Sequence, residues 1–230
     1  VPQGSVLGPL LFLLYINDII NSSDIFKFVL FADDTSIFFS HKNNPDVEAL
    51  LNIELSKIST WLSANKLSLN VAKSKLLIFS LSNPNIVKRD FNLTINYEKL
   101  EAVSMAKYLG IIIDNKLQWN DQIKSVNLKL SKGIGLISKI RHFVPKTVLI
   151  SLYYTFINPH IDYNLLNWGM TSLTNINSVN LYMKKAIRLM CFKKRDEPSL
   201  PLFKELGILP IDETFKLRQG KFMWKLANNC

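Results

Sequence analysis

The chain has 230 residues, 48% of them apolar, enough for one or two packed domains and too apolar for bulk disorder. Its net charge of +10 is unevenly spread: residues 1–115 carry 10 Lys/Arg against 11 Asp/Glu, residues 116–230 carry 18 against 7. Two distant cysteines (Cys191, Cys230) and three scattered histidines (His41, His142, His160) argue against a disulfide framework or a zinc site, and no apolar run is long enough to span a bilayer.

A glycine-containing loop, Val1-Pro2-Gln3-Gly4-Ser5-Val6-Leu7-Gly8-Pro9, opens the chain. Gly4 and Gly8 allow a ligand close to the backbone, and Pro9 suits a first helical turn. A helix over residues 9–20 follows, expected to be largely buried through Leu10, Leu11, Leu13, Leu14 and Ile16. Two β-rich runs, 25–31 and 35–40, then flank Ala32-Asp33-Asp34, which reads as a hairpin with both acids at its tip. Paired carboxylates there can ligate a hard cation such as Mg²⁺, although Asp is also an ordinary turn residue.

Asn44-Pro45-Asp46 reads as a helix start, and Val47, Leu50, Leu51, Ile58, Trp61 and Leu62 follow at helical spacing. This helix should pack on the back of the hairpin sheet. Strands are expected at 76–79, 91–95 and 108–113, with a turn at Ser82-Asn83-Pro84-Asn85. From Asn120 the pattern is helical: Ile123, Val126, Leu130, Ile134 and Ile137 recur every three or four residues, with Lys124, Lys129, Lys132 and Lys139 between them. Gly133 and Gly135 fall inside this helix, so they form no phosphate loop, and Val144-Pro145 should end it. Further helices are expected over 148–159, 176–192 and 212–227. Trp168 reads as a core anchor, with a stacking platform as the alternative. The α/β part gives way to the helical part near residues 115–119. A basic half beside a carboxylate-bearing half suits a polyanion held near a metal site, or equally a set of solvated helix faces.

Gln3-Gly4-Ser5 through Asn17-Asp18, followed by Phe31-Ala32-Asp33-Asp34, resembles two consecutive motifs of reverse transcriptases, in particular of the non-LTR retrotransposon (jockey-like, LINE-type) class. Later stretches resemble the same family in the same order. Trp61, Asn65-Lys66-Leu67-Ser68-Leu69-Asn70 and Lys73-Ser74-Lys75 look like the region after the catalytic hairpin. Tyr108-Leu109-Gly110-Ile111-Ile112-Ile113-Asp114 looks like the primer grip. Asn167-Trp168-Gly169 and Lys184-Lys185-Ala186-Ile187-Arg188 resemble the segment beyond it.

The resemblance implies an α+β fold: a partial polymerase palm, an antiparallel sheet with packed helices, over residues 1–115, then a helical thumb and post-thumb region over 116–230. It implies two-metal nucleotidyl transfer with Mg²⁺, or Mn²⁺ in its place, held by Asp33 and Asp34. Gln3, Gly4 and Ser5 would line the templating base and incoming nucleotide, and Ala32 would lie under the primer terminus. Lys73 would meet the pyrophosphate, with Lys75 as competitor, and Tyr108, Leu109 and Gly110 would support the primer strand. The implied partners are an RNA template, a DNA primer and deoxynucleoside triphosphates.

The family's third catalytic carboxylate lies upstream of the Gln-Gly loop. A chain starting at Val1 is therefore expected to be a fragment of an RNA-directed DNA polymerase, inactive alone; the alternative is a decayed element copy that retains only nucleic-acid binding. No targeting segment is visible, which makes an intracellular protein, nuclear or cytoplasmic, the default.

Overall fold

Two separate apolar cores divide the computed structural model of the chain into two units, residues 1–104 and 105–230. The structure describes residues 4–41, 46–80 and 91–228; Gln3, the expected helix start at Asn44-Pro45 and the turn at Ser82-Asn83-Pro84-Asn85 lie outside them.

The first unit begins with helix α1 (Leu7–Ile16) and a 3₁₀ turn (Asn17–Ser22). Strands β1 (Lys27–Phe31) and β2 (Asp34–Phe38) form an antiparallel hairpin in which Phe31 pairs with Asp34. Helix α2 (Val47–Ala64) follows, then a 3₁₀ turn (Val71–Lys73) and the short strands β3 (Lys75–Leu77), β4 (Thr94–Ile95), β5 (Glu98–Lys99) and β6 (Glu101–Val103). Helix α2 buries Leu55, Ile58 and Leu62, a three-and-four-residue stripe that points one face at the core. Phe28 and Leu30 of β1 pack against the same apolar cluster, to which α2 contributes Leu55, Ile58 and Leu62. Asn52 ties α2 to β4: its Oδ1 accepts from the Thr94 N–H at 2.8 Å, and its Nδ2 donates to the Asn92 carbonyl at 3.0 Å.

Several expectations for this unit need correction. Helix α1 is not largely buried: Leu10, Leu11, Leu13 and Leu14 are exposed, and only Ile16 is buried. Its side chains are apolar all round, and the rest of the unit covers the side that carries Phe12 and Ile16. The α-helix also ends at Ile16, where Asn17-Asp18 starts the 3₁₀ turn. The strands do not form one antiparallel sheet among the described residues. They pair two by two, and β3 runs parallel to β6, with the β4–β5 hairpin in the intervening chain. Parallel neighbours require such a crossover.

The second unit opens with the antiparallel hairpin β7 (Met105–Tyr108) and β8 (Ile111–Asp114). The single strand expected over 108–113 is thus two strands, because Leu109 (φ +44°) and Gly110 (φ +85°) turn the chain. Two successive positive φ values are what a two-residue hairpin loop needs to match strand twist. Helices follow: α3 (Asn120–Ile140), α4 (Lys146–Phe156), α5 (Asn158–Asp162), α6 (Leu165–Trp168), α7 (Leu173–Met190), α8 (Leu200–Leu206) and α9 (Ile211–Ala227).

All five apolar residues of the α3 stripe are buried. Gly133 lets α3 approach α4: a Cβ there would lie 2.9 Å from the Phe156 carbonyl oxygen. Trp168 is completely buried and its Nε1–H donates to the Tyr163 carbonyl at 2.9 Å, which makes it the core anchor rather than a platform. Among the described residues, no helix is long and apolar enough to cross a membrane.

Candidate functional site

A two-residue loop, Ala32-Asp33, closes β1–β2 and leaves Asp34 as the first residue of β2. Phe31, Ala32, Asp33 and Asp34 are all exposed. Ala32 takes φ +51°, a left-handed conformation that side chains with a Cβ rarely adopt and that functional sites tolerate more than other places. The hairpin offers two adjacent carboxylates to solvent. That donor set fits Mg²⁺ in type and number, because this ion takes one or two protein carboxylates and completes its shell with water and substrate phosphate. Among the described residues, no group of three His, Cys, Asp or Glu side chains forms a metal-binding cluster.

The glycine loop enters α1 through Gly4 at φ +89°, with open space where a Cβ would be. The Ser5 hydroxyl accepts from the Gly8 N–H at 3.1 Å, which satisfies one of the unpaired donors at the helix start. Lys73 ends the 3₁₀ turn before β3 and is exposed; its backbone N–H is held by the Asn70 side chain at 3.2 Å. Lys75 forms an ion pair with Glu101, whereas no carboxylate pairs with Lys73 among the described residues.

The Tyr108-Leu109-Gly110 segment belongs to the second unit. It is built from three sides. The Tyr163 hydroxyl donates to the Leu109 carbonyl at 2.5 Å, and the Tyr163 ring lies 3.5 Å from where a Gly110 Cβ would be. The buried Gln122 accepts from the Ile112 N–H through Oε1 at 2.9 Å. The Asp114 carboxylate gathers the N–H groups of Lys116, Gln118 and Trp119 at 3.1, 3.0 and 2.7 Å, fixing the loop that leads into α3. Sequence reading missed Tyr163 and Gln122 as supports, and no local pattern marks a tyrosine 54 residues away as the partner of a turn.

Residues 1–113 match the family described as reverse transcriptase (RNA-dependent DNA polymerase). Among curated proteins, the chain is 25% identical to the probable RNA-directed DNA polymerase from transposon X-element of Drosophila melanogaster, over 83% of the chain and 21% of that protein. It is 23% identical to the corresponding protein from transposon BS of the same fly, over 100% of the chain and 26% of that protein. The RNA-directed DNA polymerase from mobile element jockey of Drosophila funebris is 24% identical, over 82% and 21%. The chain thus spans about a fifth to a quarter of the length of these relatives. No solved structure matches it. The matched stretch contains the glycine loop, the carboxylate hairpin and the turn that Tyr163 clasps, and residues 1–113 accordingly belong to the reverse transcriptase family, of the jockey-like, non-LTR retrotransposon kind.

Proposed function

We propose that the chain is the later palm and the thumb of an RNA-directed DNA polymerase, with residues 1–115 as partial palm and 116–230 as helical thumb and post-thumb region. One observation carries this reading: Asp33 in the exposed hairpin loop and Asp34 at the first position of β2 are adjacent exposed carboxylates, inside the stretch that matches the reverse transcriptases. These two carboxylates would hold Mg²⁺, or Mn²⁺ in its place, and such cations supply charge stabilisation on the attacking and leaving oxygens of nucleotidyl transfer.

The remaining roles fall to the chain's own groups. Gln3, Gly4 and Ser5 line the templating base and incoming deoxynucleotide, and Ala32 supports the primer terminus. The Lys73 ammonium, free of a carboxylate partner among the described residues, neutralises or protonates pyrophosphate. Tyr108, Leu109 and Gly110 hold the primer strand in the orientation that Tyr163 fixes. The exposed lysines of α3 follow the RNA–DNA duplex through its phosphates, without reading sequence. An enzyme of this kind acts inside the cell, in the nucleus or cytoplasm.

The test is primer extension on an RNA template by the intact parent protein. Asp33→Asn should lower extension by roughly 10²-fold or more, the scale of losing a group that stabilises transition-state charge. Undiminished extension would remove Asp33 from the site. A parent that extends no primer even unsubstituted would favour a relic that only binds nucleic acid, and incorporation of ribonucleotides in preference to deoxynucleotides would point to an RNA-templated RNA polymerase.

A further inference from the structure

At one end of the α3–α7 pair, aromatic rings and cations interleave. Helix α3 stops at Ile140, and Arg141-His142-Phe143 lead out of it. Helix α7 stops at Met190, and Phe192-Lys193-Lys194-Arg195 lead out of it. The Arg141 guanidinium joins the two ends: it donates to the Leu189 carbonyl at 3.2 Å and lies over the Phe192 ring, 5.2 Å from its centroid. His142 meets the same ring edge-on at 5.3 Å. These contacts orient Phe192 without covering it, since the residue remains 54% exposed, and Phe143 is 85% exposed. Lys193 is paired with Glu197 at 3.2 Å, and the Lys194 N–H donates to the same carboxylate at 3.1 Å; no carboxylate forms an ion pair with the Lys194 ammonium or the Arg195 guanidinium among the described residues.

The backbone at Phe192 makes the display more informative. The Phe192 N–H donates to the Leu189 carbonyl at 3.3 Å and the Lys193 N–H to the Arg188 carbonyl at 2.9 Å, with Phe192 at φ +55°. This pair of bonds is the helix-ending motif whose left-handed position normally holds glycine, because no Cβ then meets the following carbonyl. Helix α8 ends on the same two bonds with Gly207 in that position, and helix α2 ends on them with Lys66 at φ +54°. A glycine would therefore close α7 more easily. The phenyl ring at 192 serves nothing in the helix termination itself.

We infer that Arg141, His142, Phe143, Phe192, Lys194 and Arg195 form a docking site for an unpaired stretch of nucleic acid, with bases stacking on the phenyl rings and phosphates meeting the cations. The choice of nucleic acid as the anion rests on the polymerase reading; the choice of a single strand rests on the rings. Bases inside a duplex already stack on one another, whereas unpaired bases stack on any exposed aromatic face, without regard to sequence. Four cations against two carboxylates across Arg141 and residues 193–197 supply the phosphate attraction. In a polymerase, the occupant is template or displaced strand lying outside the hybrid.

The experiment titrates the 230-residue chain with a labelled oligouridine, an RNA–DNA hybrid of equal length and an abasic strand of equal length, followed by fluorescence anisotropy. Phe192→Gly keeps the helix-ending motif and removes the ring; Phe143→Ala removes a ring that is almost fully exposed. Each should weaken oligouridine binding roughly fivefold or more, the scale of losing one base–aromatic stack, and change hybrid and abasic binding less than about twofold. Lys194→Ala with Arg195→Ala should weaken all three probes. Equal losses of oligouridine and hybrid binding in the phenylalanine variants, or no loss in either, would overturn the site. Retention on anionic lipid vesicles without oligouridine binding would overturn it as well. Asp33→Asn should leave oligouridine binding unchanged while lowering extension by the parent as stated above, so a failure of this inference is separable from a failure of the polymerase reading.

Discussion

Glu54 is a carboxylate facing the core of the first unit, with 5% of its surface exposed. Lys57 donates to it at 2.6 Å and the Ser23 hydroxyl donates to its other oxygen, and these bonds hold its pKa below the ordinary glutamate value. A depressed carboxyl pKa contributes stability that is present above the unfolded-state value and is lost as pH falls through the folded one. The melting temperature of the first unit should therefore fall on acidification below about pH 4.5, and Glu54→Gln should flatten that fall. Calorimetric melts at stepped pH test this; an unchanged slope in the variant would assign the acid sensitivity elsewhere. Lys57 is a local partner three residues along α2, but nothing in the sequence marks Glu54 as buried, because Ser23 becomes its partner only once α2 is laid against the end of the 3₁₀ turn. The hairpin that carries Asp33 and Asp34 was legible because turn chemistry is local: two acids between two β-rich runs read as a turn. Tyr163 was illegible for the opposite reason, since its target is a backbone carbonyl that any residue at 109 would provide.

Helices were the legible elements, and short strands were not. The α3 stripe repeats over twenty-one residues, long enough for a period of 3.6 to stand out. Strands β4 and β5 have two residues each and carry no period at all. The β7–β8 hairpin was read as one strand because Ile111-Ile112-Ile113 continues the apolar run and a single glycine marks the turn. Helix α8 escaped because seven residues are too few for a repeat. Within α3, two glycines one turn-half apart behave oppositely. A Cβ at Gly135 meets nothing, so Gly135→Ala should stabilise the chain by about 1 kcal/mol through helix propensity. A Cβ at Gly133 meets the Phe156 carbonyl oxygen at 2.9 Å and the Ile157 side chain at 3.1 Å, so Gly133→Ala should destabilise by roughly 1–3 kcal/mol as α3 and α4 are forced apart. Denaturant titration of the two variants checks the signs; matching signs would deny the close approach.

At the scale of the whole chain, the uneven charge makes a prediction about affinity. Lys129, Lys132 and Lys139 are all exposed on α3. If about four phosphates meet such lysines, hybrid affinity should fall on the order of 10²-fold between 50 and 200 mM salt, through counterion release. Lys132→Ala with Lys139→Ala should make the slope of log affinity on log salt shallower by about two. An unchanged slope would take α3 off the duplex path.

The clasp of Tyr163 on Leu109 and Gly110 has a practical consequence for building hybrids between related elements. The family match runs through residue 113, and a change from mixed α/β to helical pattern near residue 115 invites a crossover there. Such a splice would graft a foreign turn onto a native tyrosine, a native Gln122 onto a foreign strand, and a foreign acid under the amides that start α3. A splice after Ser104 transplants the turn together with everything that grips it.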